Sequence, residues 1–273
     1  RKGIEYSRNL MTVRIAKILG LEEILKLSKK LNIYEEIPEL LSVSLGAAET
    51  TLLNLTSAYA PFVNGGKKIE PTLISRIQDR RGKTIFQDKN RKCVGCDKFI
   101  KENELPKIES SNEKVISKET AYQMTSILKG AVERGTAKKL KSLKVPLAGK
   151  TGTTNDNYDA WFIGFSSNLV IGVYIGFDNP KTLGKFETGS KAALPIFKDF
   201  VEKTLYKEDF QEFQIPENIY LTSINYDTGL KPQDGEKNVI TEALKLRDIN
   251  NINNNSLMLS NGRDKIIKFR QFY

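Results

Sequence analysis

Leu147-Ala-Gly-Lys-Thr-Gly-Thr-Thr154, followed closely by Asp159-Ala-Trp-Phe-Ile-Gly-Phe165, is the stretch that decides the fold. The first segment sets a lysine, three threonines and a bare glycine backbone on what reads as one strand. The second is an aromatic, sheet-forming run. Ser167-Asn168 makes a tight turn into a third apolar segment, so strands are expected at 147–154, 159–166 and 169–177, the last two antiparallel. Side chains alternate along a strand, which puts Lys150, Gly152 and Thr154 on one face and Thr151 and Thr153 on the other. Gly152 leaves room for a ligand backbone to pair with the strand edge. Lys150 with a threonine hydroxyl offers charge-assisted hydrogen bonds to a carboxylate. The stretch reads as the wall of a site for a carboxylate-bearing peptide, although Lys-Thr-Gly alone also fits a solvated edge strand.

Two other chemistries fit the sequence poorly. Gly149-Lys-Thr151 resembles part of a phosphate-binding loop, but Lys144 stands where a further glycine is needed and Pro146 stiffens the approach. The element that follows also reads as strand, not as a helix whose N-terminus would hold an anion. The 273 residues contain no histidine, which removes Ser-His-Asp and Cys-His machinery and any His-ligated metal. Acyl-transfer chemistry here must use lysine, carboxylate or tyrosine as its base. No cofactor and no metal is called for.

Hydrophobic residues make up 39% and charged residues 28%, an ordinary balance for a folded chain large enough to bury a full core. The longest apolar run, 169–175, has the length of a strand and not of a membrane span. The first residues, Arg1-Lys-Gly-Ile-Glu5, are neither a signal peptide nor a start methionine, so the chain reads as a segment of something longer. A net charge of +10 suits an anionic membrane face or wall polymer. Nucleic acid is not expected as a partner, since the Lys and Arg residues are scattered and lack interleaved aromatics.

Helical periodicity covers 10–31, with Val13, Ala16 and Leu19 on one face and a break at Gly20. A second helical pattern runs from Ala47 to Asn64 and ends at Gly65-Gly66. Residues 69–78 and 84–87 flank Arg80-Arg-Gly82 as a hairpin. Residues 88–116 are charged and read as an exposed, irregular insertion. Ser117 caps a helix to about Glu133, and Ala192 to Leu205 forms another. Residues 1–205 are therefore expected to form one domain portion. Residues 206–273 read as an extension with little chemistry and an Asn-rich, low-complexity part.

Ser7-Arg-Asn9 near the start and Lys150-Thr-Gly152 later resemble, in this order, the second and third motifs of serine penicillin-recognising enzymes. The flanking blocks narrow the resemblance. Ser44-Leu-Gly-Ala-Ala-Glu49, Tyr59-Ala-Pro-Phe-Val-Asn-Gly-Gly66, Arg134-Gly-Thr-Ala137, Asp159-Ala-Trp-Phe-Ile-Gly164 and Ala192-Ala-Leu-Pro-Ile-Phe197 are similar to class A penicillin-binding proteins, the bifunctional peptidoglycan synthases. The likeness runs from about residue 3 to 205 and, more weakly, through Thr228-Gly-Leu230.

The resemblance implies an α+β fold of the serine β-lactamase/D,D-transpeptidase kind, truncated at its N-terminal side, with an antiparallel sheet flanked by helices. It implies peptidoglycan cross-linking on the periplasmic face of the bacterial inner membrane, with the anchor upstream. In such enzymes the serine of a Ser-x-x-Lys motif attacks a D-Ala-D-Ala stem peptide, or a β-lactam, and forms an acyl-enzyme. By position, Ser7 relays protons to the leaving group, Asn9 holds the substrate and Lys150 sets the local potential. Thr151 and Thr153 grip the carboxylate beside Gly152, and the backbone N–H of Thr153 supplies half of an oxyanion hole.

The nucleophile should precede Ser7, and only six residues do. Ser111-Asn-Glu-Lys114 and Ser126-Ile-Leu-Lys129 fit the spacing, but one lies in the charged stretch and the other on a helix that the family does not use for catalysis. Both read as decoys. The chain alone is thus expected to resist acylation by penicillin and to need the upstream part of the same protein or a split partner chain. A non-catalytic remnant binding wall polymer is the alternative of another class; a β-lactamase or D,D-carboxypeptidase would share the motifs without the Asp-Ala-Trp-Phe context. Cys93-Val-Gly-Cys96 supplies only two of four zinc ligands and fits a local disulfide if the compartment is oxidising.

Overall fold

The computed structural model describes residues 1–34, 36–88, 91–94, 107–110, 112–206 and 209–246, with 91–94 and 107–110 as backbone only. Three helices lead: α1 (Lys2–Glu5), α2 (Asn9–Leu19) and α3 (Leu21–Lys30). Gly20, at a φ of 88°, separates the last two as the sequence indicated. The next helix, α4 (Leu52–Tyr59), starts later than the apolar pattern suggested. Thr51 caps it by accepting a hydrogen bond from the Asn54 N–H at 3.1 Å, and 47–51 stays outside.

Strands β1 (Arg76–Gln78) and β2 (Thr84–Gln87) pair as a hairpin, with the first strand confined to the last three residues of the expected 69–78. The ends of the stretch read as irregular also pair, as β3 (Arg91–Val94) and β4 (Lys107–Ser110), antiparallel with Lys92 opposite Glu109. Charge hid this pairing, because neither segment shows apolar alternation. Residues 95–106 between them, Cys96 included, and the Asn-rich end lie outside the described residues. So does Ser111 of the first decoy pair.

Ser117 caps the 16-residue helix α5 (Lys118–Glu133), accepting the N–H of Thr120 at 3.1 Å. The central sheet follows as β5 (Ala148–Thr153), β6 (Ala160–Phe165) and β7 (Val170–Ile175), antiparallel and in that order. Helix α6 (Ala193–Thr204) comes next, then the hairpin β8 (Ile219–Asn225) and β9 (Val239–Lys245). Tyr226-Asp-Thr-Gly-Leu230, between the two strands, is a turn. The Asn225 side chain accepts the N–H groups of Asp227 and Thr228, and Gly229 takes a φ of 72°.

The sheet is covered on both faces, giving an α+β architecture of three layers. One face, with Leu147 and Phe162, packs on Leu194, Phe197 and Val201 of α6 and on Val132, Ala137 and Leu140. The other, with Ala148 and Phe165, packs on Leu128, Tyr59 and Phe62. Lys150 belongs to this second face, one alternation beyond Ala148. Helix α2 departs from its expected single buried stripe: Ala16 is buried, but Met11, Ile15, Ile18 and Leu19 stand exposed on another side. Among the described residues no helix is long and apolar enough to cross a membrane.

Candidate functional site

Lys150 is fixed by the sheet. Each residue of β5 has a partner on β6, Lys150 lying opposite Ile163 and Gly152 opposite Trp161. The lysine Nζ leaves the strand toward the turn between α1 and α2 and donates to Ser7 Oγ at 2.5 Å, joining residues 143 apart in sequence. It also donates to the Thr151 carbonyl at 2.7 Å. Burial lowers the Lys150 pKa to about 8. At neutral pH the group remains a cation, attractive to a carboxylate, yet close to giving up its proton.

Ser7 sits in the left-handed region at a φ of 52°. For a residue with a Cβ this costs on the order of 1 kcal/mol, so the surroundings must impose it. The Ser7 N–H donates to Ile4 O at 3.2 Å and the Arg8 N–H to Gly3 O at 2.7 Å, closing the turn. Asn9 opens α2 with its side chain exposed and makes no side-chain hydrogen bond among the described residues.

The three threonines part company. Thr151 is 9% exposed, and its hydroxyl shares a 3.0 Å hydrogen bond with that of Thr136, on the face away from Lys150. Thr153 is exposed and accepts the N–H of Gly189 at 2.9 Å. A Cβ at Gly189 would come within 2.4 Å of the Gly152 and Trp161 carbonyls, so only glycine lets this segment cross the strand end. Thr154 accepts the Asp159 N–H at 2.8 Å and closes the connection into β6. The structure thus brings Lys150 and Ser7 together, leaves Thr153 at the rim and turns Thr151 inward.

Beneath Ser7 lies a cluster that the sequence did not single out. Glu5 is fully buried. Its Oε1 accepts from Arg134 Nη2 at 2.9 Å and from Arg1 at 3.3 Å, and its Oε2 from Tyr226 Oη at 2.5 Å and Arg134 Nε at 3.3 Å. Burial alone would push this carboxyl up, but the hydrogen bonds from Arg134, Tyr226 and Arg1 outweigh it and hold the pKa below the usual carboxylate value. Arg134-Gly-Thr-Ala137 carried a resemblance but no role, and nothing local in the sequence pairs Arg134 with Glu5, 129 residues away.

The second decoy pair does not meet. Ser126 Oγ accepts from Arg1 Nη2 at 2.9 Å, while Lys129 reaches the exposed Glu212 at 3.4 Å. Among the described residues no group of three or more His, Cys, Asp or Glu side chains could hold a metal ion.

Comparison with known proteins bears on this geometry. Residues 1–202 match the family described as penicillin binding protein transpeptidase domain. The chain is 41% identical over 261 residues to penicillin-binding protein 1A of Rickettsia typhi, covering 94% of this chain and 33% of the relative. It is 32% identical over 280 residues to penicillin-binding protein 1A of Pseudomonas aeruginosa, covering 91% of this chain and 34% of the relative. The chain therefore spans about a third of the length of the curated relatives it matches. The crystal structure of penicillin-binding protein 1A from Haemophilus influenzae superposes with a TM-score of 0.72 at 30% identity, over 89% of this chain and 39% of that one.

Proposed function

Given that the chain belongs to the penicillin-binding protein transpeptidase domain family, in its class A branch, we propose that it carries the Ser-x-Asn and Lys-Thr-Gly part of a D,D-transpeptidase site. The single observation that carries this reading is the hydrogen bond from Lys150 Nζ to Ser7 Oγ across the two motifs. Because Lys150 donates to Ser7, the Ser7 O–H proton is left to point elsewhere, as a relay to a leaving amine requires. In the proposed cycle a serine outside these residues attacks the D-Ala-D-Ala carbonyl of a stem peptide. The amide bond breaks, the departing D-Ala nitrogen takes a proton through Ser7, and an acyl-serine remains. An amine of a second stem then attacks the ester and releases the serine. Asn9 and Thr153 hold the substrate at the rim beside Gly152, and the Thr153 N–H polarises the carbonyl. Thr151 acts through the strand, since its hydroxyl is spent on Thr136.

β-Lactams enter the same proposal as carbonyl donors to that serine. The exposed Met11, Ile15, Ile18 and Leu19 face of α2 supports a further polypeptide segment lying against this site. The proposed location is the periplasmic face of the inner membrane, where the polymer is assembled. No Ser-x-x-Lys precedes Ser7 within the 273 residues, so the isolated chain is expected to give no covalent adduct with fluorescent penicillin. A chimaera receiving its upstream part from the Rickettsia typhi relative is expected to label. An adduct on the isolated chain, or a folded chimaera that ignores the antibiotic, would refute the proposal.

A further inference from the structure

We infer that Tyr226 and Arg134 are positioning residues for the Ser7–Lys150 pair and act through the buried carboxylate of Glu5. The inference rests on reading that pair as catalytic. Helix α1 is a single turn of four residues and cannot hold its own geometry. Its place is imposed from outside, and the imposing groups converge on Glu5, two residues before Ser7.

The end of α5 is shaped around this carboxylate. A Cβ at Gly130 would lie 1.8 Å from Glu5 Oε1, and one at Gly135 would lie 2.1 Å from the Glu5 carbonyl oxygen. That carbonyl accepts the Thr136 N–H at 3.1 Å, and the Thr136 hydroxyl meets Thr151 at 3.0 Å. Residues 134–136 therefore touch the segment that carries Ser7 and the strand that carries Lys150. The spacing between the two catalytic motifs is set here.

The hairpin β8–β9 closes the arrangement from the other side. Tyr226 stands on its turn, and the phenol donates to Glu5 Oε2 at 2.5 Å. Lys2 pairs with Asp227 and lies 4.8 Å from the Tyr226 ring centroid, and the Arg134 guanidinium lies 5.4 Å from it. Glu242 on β9 pairs with Arg1, which also reaches Glu5. The hairpin thus grips α1 at Arg1, Lys2 and Glu5. A segment after the catalytic motifs in sequence becomes part of the frame that holds Ser7 in its left-handed turn.

A merely structural carboxylate makes a different prediction from a positioning one. Loosening the turn moves the Ser7 hydroxyl from Lys150 and lets water reach the ammonium, so the titration of Lys150 reports position without any catalysis. The test is NMR of the complete 273-residue chain with isotope-labelled lysine, the Lys150 signal being assigned by its loss in Lys150→Arg. Tyr226→Phe is expected to raise the Lys150 midpoint by about one pH unit toward that of an ordinary lysine. Arg134→Lys, which keeps the charge but loses the fork, should move it the same way by less. Ser7→Ala supplies the direct reference, and Tyr220→Phe, at an exposed position on the same hairpin, should leave the midpoint in place. A folded Tyr226→Phe protein with an unmoved midpoint overturns the inference; if that variant loses its cooperative unfolding, Arg134→Lys decides by the same criterion. Penicillin labelling of the chimaera reads the transpeptidase proposal separately, so either result can fail while the other stands.

Discussion

The two halves of the proposed site are held by different means. Lys150 lies on β5, where every residue pairs with β6 and both sheet faces are packed. Ser7 lies between a one-turn helix and α2, in a backbone conformation that costs energy, and is kept there by side chains meeting at Glu5. One half is set by a backbone ladder and the other by a polar cluster. The ladder tolerates loss of any one surface side chain. The cluster is buried and charged, so losing one member leaves the others uncompensated. Damage to the site should therefore be lopsided, with Ser7 the half that moves.

The largest effect tests the ladder from beneath. Phe197 is fully buried, meets Phe162 edge-on at 4.9 Å and fills the space over Gly164. Phe197→Ala should cost about 3–5 kcal/mol in urea unfolding. A loss below about 1 kcal/mol would mean that α6 does not support the sheet as described. Next comes the cluster. Glu5→Ala leaves Arg134 and Arg1 part-buried without their carboxylate, and about 3 kcal/mol of stability should go with it. An equal loss in both variants, with the Lys150 titration undisturbed in each, would erase the contrast between the halves.

The third effect is a pH dependence. Lys150 has a folded pKa near 8, below its ordinary value, so between these two the unfolded chain keeps a proton that the folded chain has released. Stability from this group therefore rises as pH climbs through that window and is lowest below it. The rise, on the order of 2 kcal/mol, should appear when urea unfolding of the wild type is compared with Lys150→Met from pH 7 to 10. Parallel curves would contradict the burial of the ammonium. The smallest effect is Thr151→Val, which strands the Thr136 hydroxyl and should cost about 1 kcal/mol.

Much of the strand half was legible. The pattern from Leu147 to Ile175 located three strands to within a residue or two, because a half-buried sheet writes its period into the chain. Lys150 and Ser7 were singled out through motifs, and the structure brings the two side chains into contact. The polar half was not legible. Glu5, Thr136 and Tyr226 lie far apart in sequence and share no period; only folding shows that they converge. Alternation put Thr151 on one face with Thr153, and the resemblance implied that both grip a carboxylate; neither reading shows that Thr136 covers Thr151. The segment after residue 206 read as having little chemistry, because its contacts with α1 are made by residues more than 200 positions away. It contributes the Tyr226 phenol and the carboxylates of Asp227 and Glu242, and no local pattern reports a hydroxyl that meets a carboxylate 221 residues away.

The central claim is that Lys150 and Ser7 form one functional unit of an acyl-transfer site. It is tested most directly by the second-order rate of penicillin acylation of the chimaera, for the wild type, Lys150→Ala, Ser7→Ala and the double variant. Each single substitution should slow acylation about 100-fold or more, and the double variant should be little slower than either, as expected of groups that act together. Acylation that proceeds at the wild-type rate without Lys150, or single losses that multiply in the double variant, would contradict it.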